Sequence, residues 1–266
     1  MELGKVVIFL HIPKTAGTTL NSILDREYGK KATFIIDVDN PGKSIAELAG
    51  MPNESRRRIL LLRNWHIPFG VHQHIPSPST YITVLREPVN RLVSHYYHVS
   101  RTKDHYLHQL VTSRRMSLHD YVTSGISTEL DNDQTRMLAG AGDSIPFGQC
   151  AESLLTEAID NIDRYFSFAG VTEYFDESLI HMYGILGWRK RPLYVRENRS
   201  KNKPPLMAIP DRTIAAIKQH NELDCRLYEH VKSQLEGNRS PAVIREIKKF
   251  QSFNLLYRMK RRFVKL

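Results

Sequence analysis

The stretch Val6-Val7-Ile8-Phe9-Leu10-His11-Ile12-Pro13-Lys14-Thr15-Ala16-Gly17-Thr18-Thr19-Leu20 decides how this 266-residue chain is read. Its first five residues are all β-branched, aromatic or aliphatic, the mark of a strand buried on both faces. A short turn follows, and an amphipathic helical pattern opens near Gly17. A strand, a tight turn and a helix start in that order aim successive backbone N–H groups at one point, where the helix macrodipole favours negative charge. Ala16 and Gly17 let an anion approach the main chain, Lys14 adds a mobile positive charge, and Thr15, Thr18 and Thr19 add hydroxyl donors. The loop is close to a Walker loop without being one, because its lysine precedes Gly17 instead of following a second glycine. An ordinary ATP or GTP site is therefore disfavoured. The alternative on spacing alone is a capped helix after a strand, with Lys14 solvated.

Working outward, similar apolar runs occur at Thr33–Ile36, Arg58–Leu62, Tyr81–Leu85 and Phe166–Val171. Helix-like segments lie near 17–28, 88–103, 150–163, 176–187 and 211–235. Near-continuous apolar strands separated by helices imply an α/β fold with a central, mostly parallel sheet covered on both faces and a helical periphery. In the 211–235 segment Asp211 can cap, Ile214, Ile217, Leu223 and Leu227 fall near one face, and Gly237 follows the end. No internal repeat or linker divides the chain. The expected organisation is one α/β domain over residues 1–240 and a basic helical tail over 241–266.

Composition agrees: 41% hydrophobic and 25% charged residues are ordinary for a globular protein and exclude a fibre or a disordered chain. No apolar run is long enough for a membrane span, and Met1 to Lys14 does not read as a signal peptide. Cys150 and Cys225 form no CxxC pair, so the expectation is two free, mostly buried thiols in a reducing cytosol. The formal charge of +10 is concentrated at one end. From Pro241 onward the basic residues Arg245, Lys248, Lys249, Arg258, Lys260, Arg261, Arg262 and Lys265 face Glu246 alone, leaving about +3 for the remainder of the chain. Ile244, Ile247, Phe250, Phe253, Leu256 and Tyr257 make the tail a candidate amphipathic helix. Packing against its own domain is the preferred reading, with peripheral docking on an anionic membrane or partner as the alternative.

A second motif runs Thr83-Val84-Leu85-Arg86-Glu87-Pro88-Val89-Asn90-Arg91-Leu92-Val93-Ser94. It places Arg86 at the carboxyl end of a strand, where open α/β sheets bind ligands and where a guanidinium suits a phosphate. Pro88 suits a first helical turn, and Ser94 lies inside that helix. The alternative is that Arg86 and Glu87 pair or cap locally while Ser94 faces a neighbouring helix.

Together the two motifs resemble the sulfotransferases that use 3′-phosphoadenosine 5′-phosphosulfate (PAPS), particularly the branch containing heparan sulfate 2-O-sulfotransferase and its bacterial relatives. The likeness extends to Trp65-His66-Ile67-Pro68-Phe69-Gly70-Val71-His72, although Trp65 stands where that family has glycine, to Asp131–Arg136, and to Arg196–Lys201. The resemblance implies a P-loop-like three-layer α/β/α fold. It implies that Lys14, Thr15, Ala16, Gly17, Thr18 and Thr19 hold the 5′-phosphosulfate and that Arg86 and Ser94 hold the 3′-phosphate. His66 stands at the position of the family's catalytic histidine.

Sulfuryl transfer to an alcohol requires alignment, a base for the hydroxyl proton and positive charge at the leaving phosphate oxygen. Lys14 is the candidate for the last and His66 for the base, with His72 as its competitor or as an acceptor ligand. Asn132, Gln134 and Arg136 are acceptor-binding candidates against the alternative of a helix cap with Arg136 solvated. Arg199, Ser200 and Lys201 form a candidate flap against a plain surface loop. No metal is expected. The function expected is O-sulfation of a hydroxylated acceptor such as a carbohydrate, in a bacterial cytoplasm and without specific nucleic-acid binding. The competing readings are a kinase or NTPase with a degenerate phosphate loop and a basic anion-binding protein without catalysis.

Overall fold

A computed structural model describes residues 5–37, 39–65, 69–195 and 206–263. Five strands form one sheet: β1 (Val6–His11), β2 (Thr33–Ile35), β3 (Leu61–Trp65), β4 (Ser79–Leu85) and β5 (Phe166–Val171). Every pairing is parallel and the order is β2-β3-β1-β4-β5. With helices flanking it, this is a three-layer α/β/α fold, as expected. β1 is buried at every position, which is why its sequence shows no polar alternation.

The helices of the first half are α1 (Gly17–Tyr28), α2 (Pro41–Gly50), α3 (Asn53–Arg56), α4 (Pro88–Val99), α5 (His108–Ser113) and α6 (Leu118–Thr123). Those of the second are α7 (Asp133–Ala139), α8 (Glu152–Tyr165), α9 (Phe175–Ile185), α10 (Asp211–His220), α11 (Glu222–Gly237) and α12 (Pro241–Phe263). Two boundaries differ from expectation for identifiable reasons. β3 lies three residues later than the apolar run at 58–62, in register with β1 from Val7↔Leu61 to His11↔Trp65. The 211–235 segment is two helices, because the fully buried Asn221 leaves the helical path between them. Its amide donates to Leu130 O at 2.9 Å and Ile217 O at 3.0 Å, and its Oδ1 accepts from Asn132 N–H at 3.1 Å. Asp211 is the first residue of α10 and not its cap; Pro210 precedes it. Both cysteines are free but half-buried, less enclosed than expected.

β2 and β3 extend the sheet to one side of β1, and β4 and β5 to the other. The chain thus changes winding direction between β1 and β4, and in such sheets a crevice opens at the carboxyl ends of the two strands where this occurs. The loop after β1 carries Lys14 and the loop after β4 carries Arg86, so the two sequence motifs meet at that crevice. α12 packs against the rest of the chain, the preferred sequence reading: Phe250 joins the main core, and Asn254 Oδ1 accepts from Tyr194 N–H at 2.8 Å.

Candidate active site

Three helices, α1, α4 and α7, begin beside the crevice between β1 and β4, and their amino ends differ in one respect. At α4 the Glu87 carboxylate accepts from the N–H groups of Val89 at 3.1 Å and Asn90 at 2.7 Å. At α7 the carboxylate of Asp224, carried by α11, accepts from the N–H groups of Gln134 at 3.2 Å and Thr135 at 2.8 Å. At α1 no side chain of a described residue caps the helix, and its first turn holds no acid. Of these three, α1 is the one whose first-turn N–H groups no side chain of a described residue occupies, which leaves them open to an external anion.

The loop into α1 is shaped for that use. Lys14 (φ 69°) and Ala16 (φ 67°) both take the left-handed conformation, which bends the main chain into a concave nest. Holding non-glycine residues there costs on the order of 1–3 kcal/mol each and persists only where the surroundings enforce it. Two bonds do so: the Thr15 hydroxyl donates to Ile12 O at 2.7 Å, and Arg86 Nη1 donates to Lys14 O at 3.0 Å. Gly17 is required by a close approach. A Cβ there would lie 1.6 Å from His11 Nε2, because the His11 ring, stacked on Phe9, lies against the start of α1. Gly17→Ala is accordingly expected to destabilise the protein by ~3 kcal/mol or more and to abolish anion binding at the loop, as read by urea denaturation and calorimetry.

Lys14 and Arg86 are half-buried at this edge. Burial, reinforced by the positive charges of Arg86 and Arg101, brings the Lys14 ammonium down to about 8. Arg86 is held at both backbone groups by one side chain: its N–H donates to Gln134 Oε1 and its carbonyl accepts from Gln134 Nε2, each at 2.9 Å. Ser94 is buried on the second turn of α4, the helix that follows Arg86 directly. Of the loop threonines, Thr18 remains partly exposed; Thr19 is buried, and the Thr15 hydroxyl is committed to Ile12.

The structure adds groups the sequence reading left aside. His98 and Arg101 follow Ser94 at i+4 and i+7, and both contribute to or feel the field at Lys14. Burial first, and then Lys14, His105, His95 and Arg101, push His98 down to about 4, so it stands as a neutral imidazole at physiological pH. His105 packs edge-on against His98, with ring centroids 5.7 Å apart. Helical spacing from Ser94 was the available signal for His98 and Arg101; His105 comes from a loop, and no local pattern marks it.

His95, His105 and Glu129 bring ligand-type atoms within 4.8 Å of one another. Within that group His95 Nε2 pairs with Glu129 Oε2 at 2.7 Å, and His95 Nδ1 meets the Tyr121 hydroxyl at 2.8 Å. These bonds tie α4 to the segment before α7 and complete the hydrogen bonding of His95 without an ion.

Four of the sequence candidates make contacts within the protein that the sequence reading left open. His72 lies beside Tyr81, which pairs with Ile8 of β1. Its Nδ1 meets the Tyr81 hydroxyl at 3.0 Å and its ring lies 4.9 Å from that of Tyr165, an aromatic nest with Phe69. Burial lowers its pKa. Asn132, Gln134 and Arg136 are 6%, 0% and 1% exposed. Asn132 bonds to Asp131 and the Asp224 N–H, and Gln134 spends both amide atoms on Arg86. Arg136 pairs with Asp131 and with the carbonyls of Ile145 and Pro146. Gln134 thus holds Arg86 in place, while the polar groups of Asn132 and Arg136 are spent on the segments packed around α7. His66, Arg199, Ser200 and Lys201 lie outside the described residues.

The chain matches, over residues 3–252, the family model described as galactose-3-O-sulfotransferase. It is 25% identical over 239 residues to galactose-3-O-sulfotransferase 3 of Bos taurus, covering 84% of this chain and 55% of that protein. The human protein of the same name gives 25% identity over 239 residues, 84% and 54%. The heparan sulfate 2-O-sulfotransferase hst-2 of Caenorhabditis elegans is 31% identical over 122 residues, 42% of this chain and 37% of that protein. The chain spans about half the length of the galactose-3-O-sulfotransferases it matches.

Proposed function

The chain belongs to the galactose-3-O-sulfotransferase family, and from that premise we propose that it transfers a sulfuryl group from PAPS to a hydroxyl of a galactoside or a related carbohydrate. The observation that carries this reading is the amino end of α1. It lacks the carboxylate that fills the corresponding position at α4 and α7, and it lies beside Lys14 and Arg86.

The donor supplies a sulfuryl group already activated on its 5′-phosphate. The residues around it have the remaining tasks. The nest from Lys14 to Thr18 and the N–H groups opening α1 hold the phosphosulfate end. Arg86, fixed by Gln134, and Ser94 hold the 3′-phosphate, so two anchored ends align the reacting bond. The Lys14 ammonium stabilises charge developing on the leaving phosphate oxygen. We assign proton removal from the acceptor to His66, which follows β3; that strand ends at Trp65, in register with His11 at the entry to the phosphate loop. Arg199, Ser200 and Lys201 are assigned to binding the nucleotide.

The test is calorimetric titration of the intact protein with PAPS and, separately, with ATP and magnesium. PAPS binding that is weakened at least tenfold by Arg86→Ala is the expected result. Binding of ATP with magnesium in place of PAPS would overturn the proposal and return the loop to a kinase reading.

A further inference from the structure

α12 uses only part of its circumference in packing. Ile247, Phe250, Asn254 and Tyr257, spaced by three and four residues, are the buried or half-buried stripe. On the opposite side Leu255, Leu256 and Met259 are 55%, 57% and 49% exposed. Phe253 is not part of that patch, because the Arg191 guanidinium lies over its ring at 4.6 Å. The exposed aliphatic residues are bracketed by exposed Arg245, Lys248, Lys249 and Lys260, and the only acid on the helix, Glu246, is paired with Lys249 at 3.7 Å.

We propose that this outward face of α12 docks on an anionic lipid bilayer surface. Charge complementarity selects the partner: a stripe of cations with one neutralised acid matches a surface of anionic headgroups. The aliphatic centre selects a bilayer over a soluble polyanion. A polyanion satisfies the cations and leaves Leu255, Leu256 and Met259 in water, whereas a bilayer takes them into the acyl boundary while the lysines extend along their stems to the headgroups. The contact is superficial, since no helix among the described residues is long and apolar enough to cross a membrane. It is independent of the catalytic proposal.

The test is co-sedimentation of the full chain with vesicles of equal parts phosphatidylglycerol and phosphatidylcholine, and with vesicles of phosphatidylcholine alone. Binding to the anionic vesicles only is expected, reduced more than tenfold by Lys248→Gln with Lys260→Gln, at roughly fivefold per cation removed. Leu255→Ser with Leu256→Ser is expected to reduce it comparably while the circular dichroism spectrum is unchanged. Absence of binding to anionic vesicles overturns the proposal. So does binding that the leucine substitutions leave intact and that heparin displaces, which would identify a soluble polyanion as the partner.

Discussion

Lys14→Ala is expected to lower kcat for sulfuryl transfer by about 10²–10³, the usual cost of removing one preorganised charge from a developing oxyanion. On the proposed reading its donor affinity should fall much less, because Arg86 and the uncapped amino end of α1 remain to hold the anionic ends. A loss confined to KM would mean that Lys14 binds the ground state and the transition state alike, and would remove it from the catalytic role. The same residue predicts a pH profile. Burial and the neighbouring guanidinium groups hold its ammonium near 8 in the free protein, so the charged form prevails below that value and is lost above it. The rate at limiting substrate, which reports the free enzyme, should therefore decline as pH rises through about 8. Lys14→Arg keeps its charge to far higher pH and should abolish that decline even where turnover is reduced.

The second large effect concerns stability. Arg136 is a buried cation whose Nε donates to Asp131 O at 2.6 Å and whose Nη2 donates to Asp131 Oδ2 at 2.5 Å. Asp131 Oδ2 also accepts from Gly148 N–H at 2.8 Å, so one ion pair ties the start of α7 to the segment leading to α8. Arg136→Ala leaves the Asp131 carboxylate buried without its counter-charge. The expected cost is about 3–5 kcal/mol, a large share of the stability of an ordinary domain. Urea denaturation measures it directly. If Arg136 gripped an acceptor instead, the substitution would leave the denaturation midpoint unchanged and raise the acceptor KM.

The two predictions separate residues that the sequence places side by side as site candidates. Lys14 lies on a loop whose chemistry is local: a buried strand, a turn and a helix start suffice to produce an anion site, and all three are contiguous. Arg86 is legible for the same reason, since it follows a strand directly and precedes a proline that can open a helix. Asn132, Gln134 and Arg136 share the composition of a binding motif, yet partners of the first two are distant in sequence: Arg86 for Gln134, Asn221 Oδ1 for the Asn132 N–H, and the Asp224 N–H for the Asn132 side chain. Whether a polar side chain faces a ligand or a buried carbonyl is decided by which distant segment packs over it. A local pattern carries no trace of that choice.

By itself the sequence determined the layers and the ligand edge. Uninterrupted apolar runs must be buried on both faces, and helices between them force parallel pairing. Anionic ligands then collect where a helix start follows a strand. Only the tertiary structure decided which helix start is open. Of the three beside the β1–β4 crevice, two are closed by carboxylates: Glu87, within hydrogen-bonding reach along the chain, and Asp224, brought from α11. The same packing depresses Lys14 and His98 by gathering Arg86, Arg101 and His105 around them, and it leaves one side of α12 exposed while burying the other. Desolvation and charge proximity depend on distances in space, and those exist only once the chain has folded.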